Sequence, residues 1–273
     1  MVLLHFKFDK QTPMKNYIFI LSLILFSCSK NEIKDVNEKE DKIPEIKFDF
    51  YPNSTTDQII YHTYYFLSYS EEDEQAEWVA YKLTSENIDG DISRTDNFRA
   101  DNNIKTGSAQ KSDYYKSGYD RGHLAPAGSM KINYKSMSES FFMSNMSPQK
   151  PGFNRGIWKK LEAKVRSFTE INDSVFVVSG PILDNPLGSI GGNEVTIPRA
   201  YYKTLLGYKN GKAKGIAFIM PHESSSNDIS YFAVSIDSVE EITNIDFYQK
   251  IDKKIQDEFE KNDDMTLWLP SSE

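Results

Sequence analysis

Long stretches rich in β-branched and aromatic residues constrain the fold of this 273-residue chain more than any other feature. Residues 77–84 (EWVAYKLT) and 174–183 (SVFVVSGPIL) are typical of β-strands, and a Gly-Pro pair is expected to end the second. Residues 199–221 predict two strands joined by a turn at an Asn-Gly pair, which favours tight hairpins. Because helices do not alternate with these strands, the pattern predicts an α+β fold with a mainly antiparallel sheet.

A few helices are expected to flank this sheet. Residues 238–251 are predicted to be helical, and residues 136–142 predict a short helix or strand leading into the sequence NMSPQ. Residues 87–116 are polar and rich in turn formers, which predicts a long loop region. An amphipathic helix is predicted over residues 153–168, where the apolar side chains at helical spacing are Ile157, Trp158, Leu161, Val165 and Phe168.

Residues 1–28 have the features of an export signal. Met14 begins a charged segment, and the apolar run at 17–26 is shorter than the roughly 20 residues that span a membrane. The sequence LFSC, ending at Cys28, resembles a bacterial lipobox, so a lipid on Cys28 is predicted; the alternative is a plain secretory signal or an anchor helix. Residues 1–13 are interpreted as an extension upstream of the true start.

Three parts of the chain follow from these features. They are an upstream extension and lipoprotein signal at 1–28, a charged and polar tether at 29–55, and one globular domain at 56–273. The predicted protein is an exported bacterial lipoprotein, periplasmic or on the cell surface, anchored to a membrane. Cys28 is the sole cysteine, so no intramolecular disulfide stabilises the domain, although its compartment would be oxidising. The oligomeric state, a homodimer included, stays open.

The distribution of charge predicts contact with a polyanion. The whole chain has a net charge of −8, which by itself argues against a nucleic-acid partner. Residues 94–166, however, contain 14 Lys and Arg against 6 Asp and Glu, a surplus of eight positive charges that leaves an excess of sixteen negative charges elsewhere. A basic middle in an acidic chain is typical of a protein that binds a polyanion at one site. The alternative is that these cations are scattered over a solvated surface.

The sequence DRGH, residues 120–123, combines groups suited to phosphodiester hydrolysis. A neutral histidine can accept a proton from water near neutral pH, and arginine pairs with phosphate through a rigid fork of donors. Arg121 and His123 are two residues apart, so both point to the same side of an extended segment. Gly122 is interpreted as room for a phosphate, and Pro126 as stiffening the loop. The alternative is a surface ion pair beside a structural histidine.

A second group of polar residues follows downstream. Asn145 lies in NMSPQ, and Asn154 is placed at the start of the predicted helix, where an asparagine is most often an N-cap. Glu162 and Arg166 follow Asn154 by eight and twelve residues, so the three lie along one helix face. A solvated face explains this pattern nearly as well when it is considered alone.

The combination of DRGH, NMSPQ and N-x-x-x-W-x-x-x-E-x-x-x-R resembles the DNA/RNA non-specific endonuclease family, which includes endonuclease G. The similarity runs from about Trp78 to Pro221, well over half of the chain. It implies a ββα-metal (His-Me finger) core within a mainly antiparallel sheet flanked by helices. It also implies Mg²⁺, with Mn²⁺ as a substitute, and DNA and RNA as substrates.

The resemblance also implies a role for each site residue. His123 would be the general base, and Asn154 would be the one direct protein ligand of the metal. Glu162 would hold metal-bound waters. Three arginines, Arg94, Arg121 and Arg166, would stabilise phosphate charge, with Arg94 matched through a region of variable loop length. Asn145 would support the site, and Asp120 would orient the loop rather than bind metal.

The sequence therefore predicts a secreted, lipid-anchored, Mg²⁺-dependent endonuclease. One alternative is a catalytically silent surface lipoprotein that binds nucleic acid, and another is a metal-dependent phosphodiesterase acting on small nucleotides. Among other residues of interest, His62 is expected to be structural. His222 is a weak candidate for lining the cleft, and Lys203 is expected to be a surface lysine of a strand rather than a cleft residue.

Overall fold

The computed structural model of the protein describes residues 52–210 and 212–269. The predicted export signal, Cys28, most of the tether and the glycine of the predicted hairpin turn lie outside this part of the chain. Its strands are β1 (Ile59–Tyr61), β2 (Tyr65–Ser70), β3 (Gln75–Leu83), β4 (Asp120–His123), β5 (Met146–Gln149), β6 (Ser174–Ile182), β7 (Ser189–Ile190), β8 (Val195–Thr196), β9 (Ala200–Lys209), β10 (Lys212–Pro221) and β11 (Ala233–Val234).

Seven of these strands form one antiparallel sheet in the order β1-β2-β3-β6-β9-β10-β11. The helices are α1 (Ser85–Asp89), α2 (Tyr134–Glu139), α3 (Pro151–Phe153), α4 (Lys159–Ser167), α5 (Ile236–Thr243) and α6 (Lys253–Glu260). The predicted α+β fold with a mainly antiparallel sheet is confirmed. Within the described residues, no helix combines the length and the apolar character that crossing a membrane requires.

Helices cover both faces of the sheet. On one face, Tyr201 and Leu205 of β9 share a core with residues of α4. On the other face, Tyr202 and Leu206 of the same strand pack with residues of α5 and α6. Successive side chains of a strand point to opposite faces of the sheet. Because both faces are buried here, the strand sequences are continuously apolar rather than alternating between apolar and polar residues. This explains why 174–183 and 199–221 are so rich in apolar residues.

The predicted ββα core is a separate unit on the first of these faces. Strand β4 pairs antiparallel with β5, and β5 leads directly into the helix that contains α3 and α4. The unit docks on β9 through Tyr201, whose hydroxyl donates to the Pro148 carbonyl at 2.7 Å and whose ring stacks on Phe153 at 5.2 Å. Trp158 anchors the helix to β4 by a 3.3 Å hydrogen bond from Nε1 to the carbonyl of His123.

The predicted helix over 153–168 is not continuous. A π-helical turn at Asn154–Trp158 separates α3 from α4, and Gly156 in that turn has non-helical angles (φ −101°, ψ −112°). The N-cap is Lys150, followed by proline at the first helical position, so the expectation of an N-cap asparagine at Asn154 is wrong. The side chain of Asn154 is therefore not engaged in capping and is available for another role.

Two other predicted boundaries are also wrong. Strand β6 continues through Gly180 and Pro181 to Ile182. Its pairing with β3 ends at Ser179, whereas its pairing with β9 continues through Pro181 to Ile182. The helix expected over 238–251 ends at Thr243, because Asn244 adopts a left-handed conformation (φ 57°) that terminates α5.

Candidate active site

A cleft of about 450 Å³ opens between β4, the turn that follows it, and the helix that contains α4. Six of the seven site residues predicted from the sequence line this cleft: Arg94, Arg121, His123, Asn154, Glu162 and Arg166. Asn145, the seventh, lies behind the cleft wall and is fully buried. The structure thus gathers residues from a long loop, a strand and a helix into one site. It also brings Arg155 and Lys159 to the same cleft, although no sequence motif pointed to them.

Alternation along β4 places Arg121 and His123 on the cleft side, as predicted. Gly122 points the other way. A Cβ atom on Gly122 would lie 2.1 Å from Cδ of the buried Gln149 side chain. The interpretation of Gly122 as room for a phosphate is therefore wrong, because the glycine makes room for Gln149 on the face away from the cleft.

His123 is the cleft residue best suited to accept a proton. Its ring is buried, and neither ring nitrogen makes a hydrogen bond within the part of the chain that the structure describes. Burial, together with the nearby charges of Arg94 and Arg121, lowers the pKa of His123 to about 3. The imidazole is therefore neutral near pH 7, with a lone pair available.

His222 shows the contrasting arrangement. Its Nδ1 donates to the carbonyl of Pro198 at 2.8 Å, and its Nε2 accepts from the backbone N–H of Lys150 at 2.7 Å. With both nitrogens engaged, this ring is a structural link between β10 and the start of the site helix, and it is absent from the cleft lining. His62 is also structural, since it pairs with Asp101 at 2.9 Å away from the cleft.

Asn145 fixes the turn that follows His123. Its side-chain oxygen accepts from the N–H of Ala125 at 2.8 Å, while Nδ2 donates to the carbonyls of Ala125 and Ser140 at 2.9 and 2.8 Å. Its own carbonyl accepts from the N–H of Leu124 at 3.0 Å. These bonds join Asn145 to the backbone of the turn after His123 and to the carbonyl of Ser140. The buried Asn145 therefore holds the turn beside His123 in one conformation.

Asp120 orients the amide of Asn154. One Asp120 oxygen accepts from Asn154 Nδ2 at 3.0 Å, and the same carboxylate forms two bonds with the Arg155 guanidinium at 2.8 and 2.6 Å. Because a carboxylate only accepts hydrogen bonds, it fixes the nitrogen of the amide and turns the oxygen away. Asn154 therefore presents a carbonyl oxygen, with no hydrogen-bond donor of the described residues on it.

Glu162 on α4 has an electrostatic partner below the cleft floor. Lys203 was expected at the surface, and this expectation is wrong: the side chain is fully buried, with Nζ 4.7 Å from the centre of the Trp158 ring. Burial raises the pKa of Glu162 above its usual range, whereas the charges of Lys203 and Arg166 lower it. Burial also lowers the pKa of Lys203, and the charge of Glu162 opposes this effect.

Lys203 lies on the same face of β9 as the buried Tyr201 and Leu205. Lys203 is two residues from each of these apolar residues, and this period-2 spacing is the sequence signal that could have predicted its burial.

Arg166 packs against the turn after His123. A Cβ atom on Gly128 would lie 3.2 Å from Arg166 Nη1 and 3.3 Å from its Cζ, so the absence of a side chain at Gly128 permits this close approach. With Arg94, Arg121, Arg155 and Lys159, five cationic side chains line the cleft. Three carboxylates oppose them: Glu162 in the lining, Asp96 paired with Arg94, and Asp120 paired with Arg155. This surplus of positive charge makes the cleft a site for an anion such as a phosphodiester.

The donor atoms of the cleft fit a hydrated divalent cation. The oriented amide oxygen of Asn154 and the carboxylate of Glu162 are hard oxygen donors, which Mg²⁺ prefers while it keeps several waters. Among the described residues, three acidic side chains that could share an ion (Asp237, Glu240 and Glu260) lie on the other face of the sheet, outside the cleft. The cleft thus offers one neutral amide and one carboxylate rather than a cage of several charged ligands.

An antiparallel strand pair followed by a helix, with a histidine on the strand and an asparagine and a glutamate on the helix, defines the ββα-metal class of nuclease fold. Residues 47–254 match the family described as DNA/RNA non-specific endonuclease. The chain belongs to this family, and the resemblance inferred from its motifs is confirmed.

Relatives of known name agree with this assignment. The mitochondrial nuclease EXOG of Danio rerio is 32% identical over 71% of this chain and 62% of its own length. A nuclease of Nostoc sp. is 32% identical over 73% of this chain and 76% of its own length. The solved structure of the EndoG/EndoGI complex contains a chain with a TM-score of 0.67 and 34% identity, matched over 72% of this chain and 87% of that one. The chain therefore spans about three-fifths of the fish EXOG sequence.

Proposed function

We propose that this protein is a metal-dependent endonuclease that hydrolyses phosphodiester bonds in DNA and RNA without strict sequence preference. The observation that carries the proposal is the cleft, whose lining combines the neutral His123, several guanidinium groups, the amide of Asn154 and the carboxylate of Glu162. Membership of the non-specific endonuclease family supports the same reaction. The proposed metal is Mg²⁺, with Mn²⁺ as a substitute.

In this mechanism His123 removes a proton from the attacking water. General-base catalysis needs an unprotonated imidazole, and burial beside Arg94 and Arg121 keeps the pKa of His123 low enough to ensure it. A bound phosphodiester brings negative charge next to these two arginines and offsets their effect on the ring. The basicity of His123 therefore increases when substrate is present, which is when the proton must be accepted.

The arginines stabilise the negative charge that grows on the phosphate oxygens. Guanidinium groups pair with phosphate through parallel donors, and donors that are already in place lower the barrier most. Arg121 on β4 and Arg166 on α4 both line the cleft, and Arg94 reaches it from the long loop. Contacts of this kind reach the backbone of the nucleic acid and carry no information about its bases. They account for cleavage of DNA and RNA alike.

Asn154 and Glu162 would hold the metal, Asn154 directly and Glu162 through bound water. When bound, Mg²⁺ supplies Lewis-acid stabilisation of the phosphate and of the leaving oxygen. Asp120 accepts a hydrogen bond from the amide nitrogen of Asn154, so the amide oxygen is the atom that would hold the ion. Because the amide is neutral, it leaves most of the charge of the cation available to the substrate.

Digestion of plasmid DNA and of single-stranded RNA by the full chain in detergent tests this proposal. We expect cleavage of both polymers with Mg²⁺, none with excess EDTA, and a loss of at least about a thousandfold in His123→Ala, since base catalysis and site geometry both depend on the ring. Lys254→Ala, an exposed lysine of α6 on the other face of the sheet, is the matched control and should cut normally. Binding of both polymers without any cleavage would instead support the catalytically silent lipoprotein.

The full proposal also places the protein outside the cytoplasm of a bacterium, attached to a membrane through a lipid on Cys28. The support is the apolar run and the LFSC sequence at the end of the export signal. Metabolic labelling with a fatty acid should mark the wild-type protein in the membrane fraction. Cys28→Ser should remove the label and release the protein; label that persists in this variant would refute attachment at Cys28.

A further inference from the structure

Two phenylalanines that belong to none of the recognised motifs form the wall behind His123. Phe98 comes from the long loop and is partly buried, while Phe141 follows α2 and is fully buried. Their rings meet edge to face, with centroids 4.9 Å apart and planes at 86°. This is a favoured arrangement for aromatic pairs and fixes one ring against the other.

Three side chains of the cleft lie on this pair. The guanidinium carbon of Arg121 is 4.2 Å from the centre of the Phe98 ring, and that of Arg94 is 4.8 Å from the centre of the Phe141 ring. The imidazole of His123 meets Phe141 edge to face at 4.9 Å and 88°, and its centroid is 5.9 Å from that of Phe98. The faces of the two rings attract cations, and their edges restrict the imidazole.

These aromatic contacts replace the hydrogen bonds that usually orient such groups. In the described residues, the Arg121 guanidinium makes no hydrogen bond or ion pair, and neither nitrogen of His123 is bonded. A catalytic histidine is commonly held by a carboxylate or carbonyl on its second nitrogen. Here ring packing is the interaction that sets the orientation of both side chains, and all the donors of Arg121 stay free for phosphate.

The loop that contains Phe98 is itself tied to the chain around Phe141. The N–H of Arg99 donates to the carbonyl of Phe141 at 3.3 Å, and the carbonyl of Arg99 accepts from the N–H of Met143 at 2.8 Å. The Arg99 guanidinium stacks on Phe142 at 3.9 Å. These contacts keep Phe98 against Phe141, although the loop has little regular structure.

We propose that Phe98, supported by Phe141, is a positioning residue that orients His123 and Arg121 toward the scissile phosphate. The expected effect on kcat rests on the proposed endonuclease activity. The orientation of His123 and Arg121 by the Phe98 ring does not depend on that activity. Loss of the Phe98 ring removes the one cation–π contact that Arg121 makes among residues 52–210 and 212–269, and it opens space beside the imidazole. A displacement of the order of 1 Å at a reacting group costs up to about a hundredfold in rate.

The test compares three variants of the full chain. Phe98→Leu removes the ring, Phe98→Tyr keeps it, and Phe176→Leu removes another partly buried ring that has a lysine over its face (Lys82 Nζ at 5.4 Å) but lies outside the cleft lining. We expect kcat of Phe98→Leu to fall by about tenfold or more, with a smaller change in KM. The other two variants should stay within about twofold of wild type, and thermal unfolding should show all three to be folded.

A second measurement does not depend on activity. The ring protons of His123 experience the ring currents of both phenylalanines, so their NMR shifts in the metal-free protein report its orientation. We expect these shifts to change in Phe98→Leu and to persist in Phe98→Tyr. Unchanged shifts and a kcat of Phe98→Leu within about twofold of wild type would overturn the proposal, as would equal losses in the leucine and tyrosine variants. A wild-type protein that cuts no nucleic acid would instead refute the proposed function, while the NMR comparison would still test the orientation.

Discussion

The close contact between Gly122 and Gln149 gives a quantitative prediction for Gly122→Ala. The added methyl carbon would lie 2.1, 2.2 and 2.4 Å from Cδ, Oε1 and Cγ of Gln149, far inside ordinary contact distance. Gln149 is fully buried, so its side chain cannot swing out to solvent without repacking. Overpacking of this kind costs about 1–3 kcal/mol. For a domain of this size, that corresponds to a fall in Tm of roughly 2–12 °C, measurable by calorimetry.

A double variant separates packing from substrate binding. Gly122→Ala combined with Gln149→Ala removes the three clashing atoms, and neither polar atom of Gln149 makes a hydrogen bond within the described residues. We expect the double variant to unfold close to the temperature of Gln149→Ala alone and to recover its nuclease rate. A double variant that regains stability but cuts DNA more than about tenfold slower than Gln149→Ala would refute the reasoning. Position 122 would then have to contact the substrate.

Three further predictions follow from the site. Asp120→Ala frees the amide of Asn154, so Mg²⁺ affinity by isothermal titration calorimetry should fall by about 10–100-fold, and an unchanged affinity would contradict the orienting role. The pKa of His123 in the folded protein (about 3) lies below its usual value near 6.5. On acidification the unfolded chain therefore binds a proton before the folded protein does, so the free energy of unfolding falls below about pH 6.5. Urea unfolding at pH 7 and pH 5 should therefore show a smaller loss of stability in His123→Asn than in wild type; an equal loss would refute the depressed pKa. Lys203→Met removes a charge that lowers the pKa of Glu162, so the acidic limb of the pH–rate profile should move to higher pH, and a shift to lower pH would contradict their coupling.

Periodicity and motif spacing predicted most of the architecture. Four of the seven sheet strands (β3, β6, β9 and β10) and the positions of Arg121 and His123 on one side of β4 followed from local patterns, since strand patterning does not depend on distant contacts. Strands β1, β2 and β11 were not predicted. The kink at Gly156 and the continuation of β6 through Pro181 did not follow. Both depend on tertiary context: the kink on how the helix docks, and the length of β6 on its pairing with β9.

The site residues could be predicted where the family pattern specifies the residue type. They were harder to predict where tertiary packing alone determines the position of a side chain. Arg94 lies in a loop whose path is set by contacts around Phe141, which a linear pattern does not contain. Lys203 was misassigned because a lysine is usually exposed, and only the burial of both sheet faces reverses that preference. Phe98 escaped notice because its role depends on stacking rather than on ionisable chemistry.

The interrupted winding of the site helix has a consequence for changes in chain length. A regular α-helix turns about 100° per residue, so eight residues would leave Asn154 and Glu162 about 80° apart around its axis. The π turn and the Gly156 kink depart from that regular winding, and both side chains face the cleft. Deleting one residue between them would rotate Asn154 by about 100° relative to Glu162 and separate the two oxygen donors. Insertions and deletions should therefore be tolerated in the exposed connection between β6 and β7. In the segment from Asn154 to Glu162, by contrast, any change in the number of residues should disrupt the site.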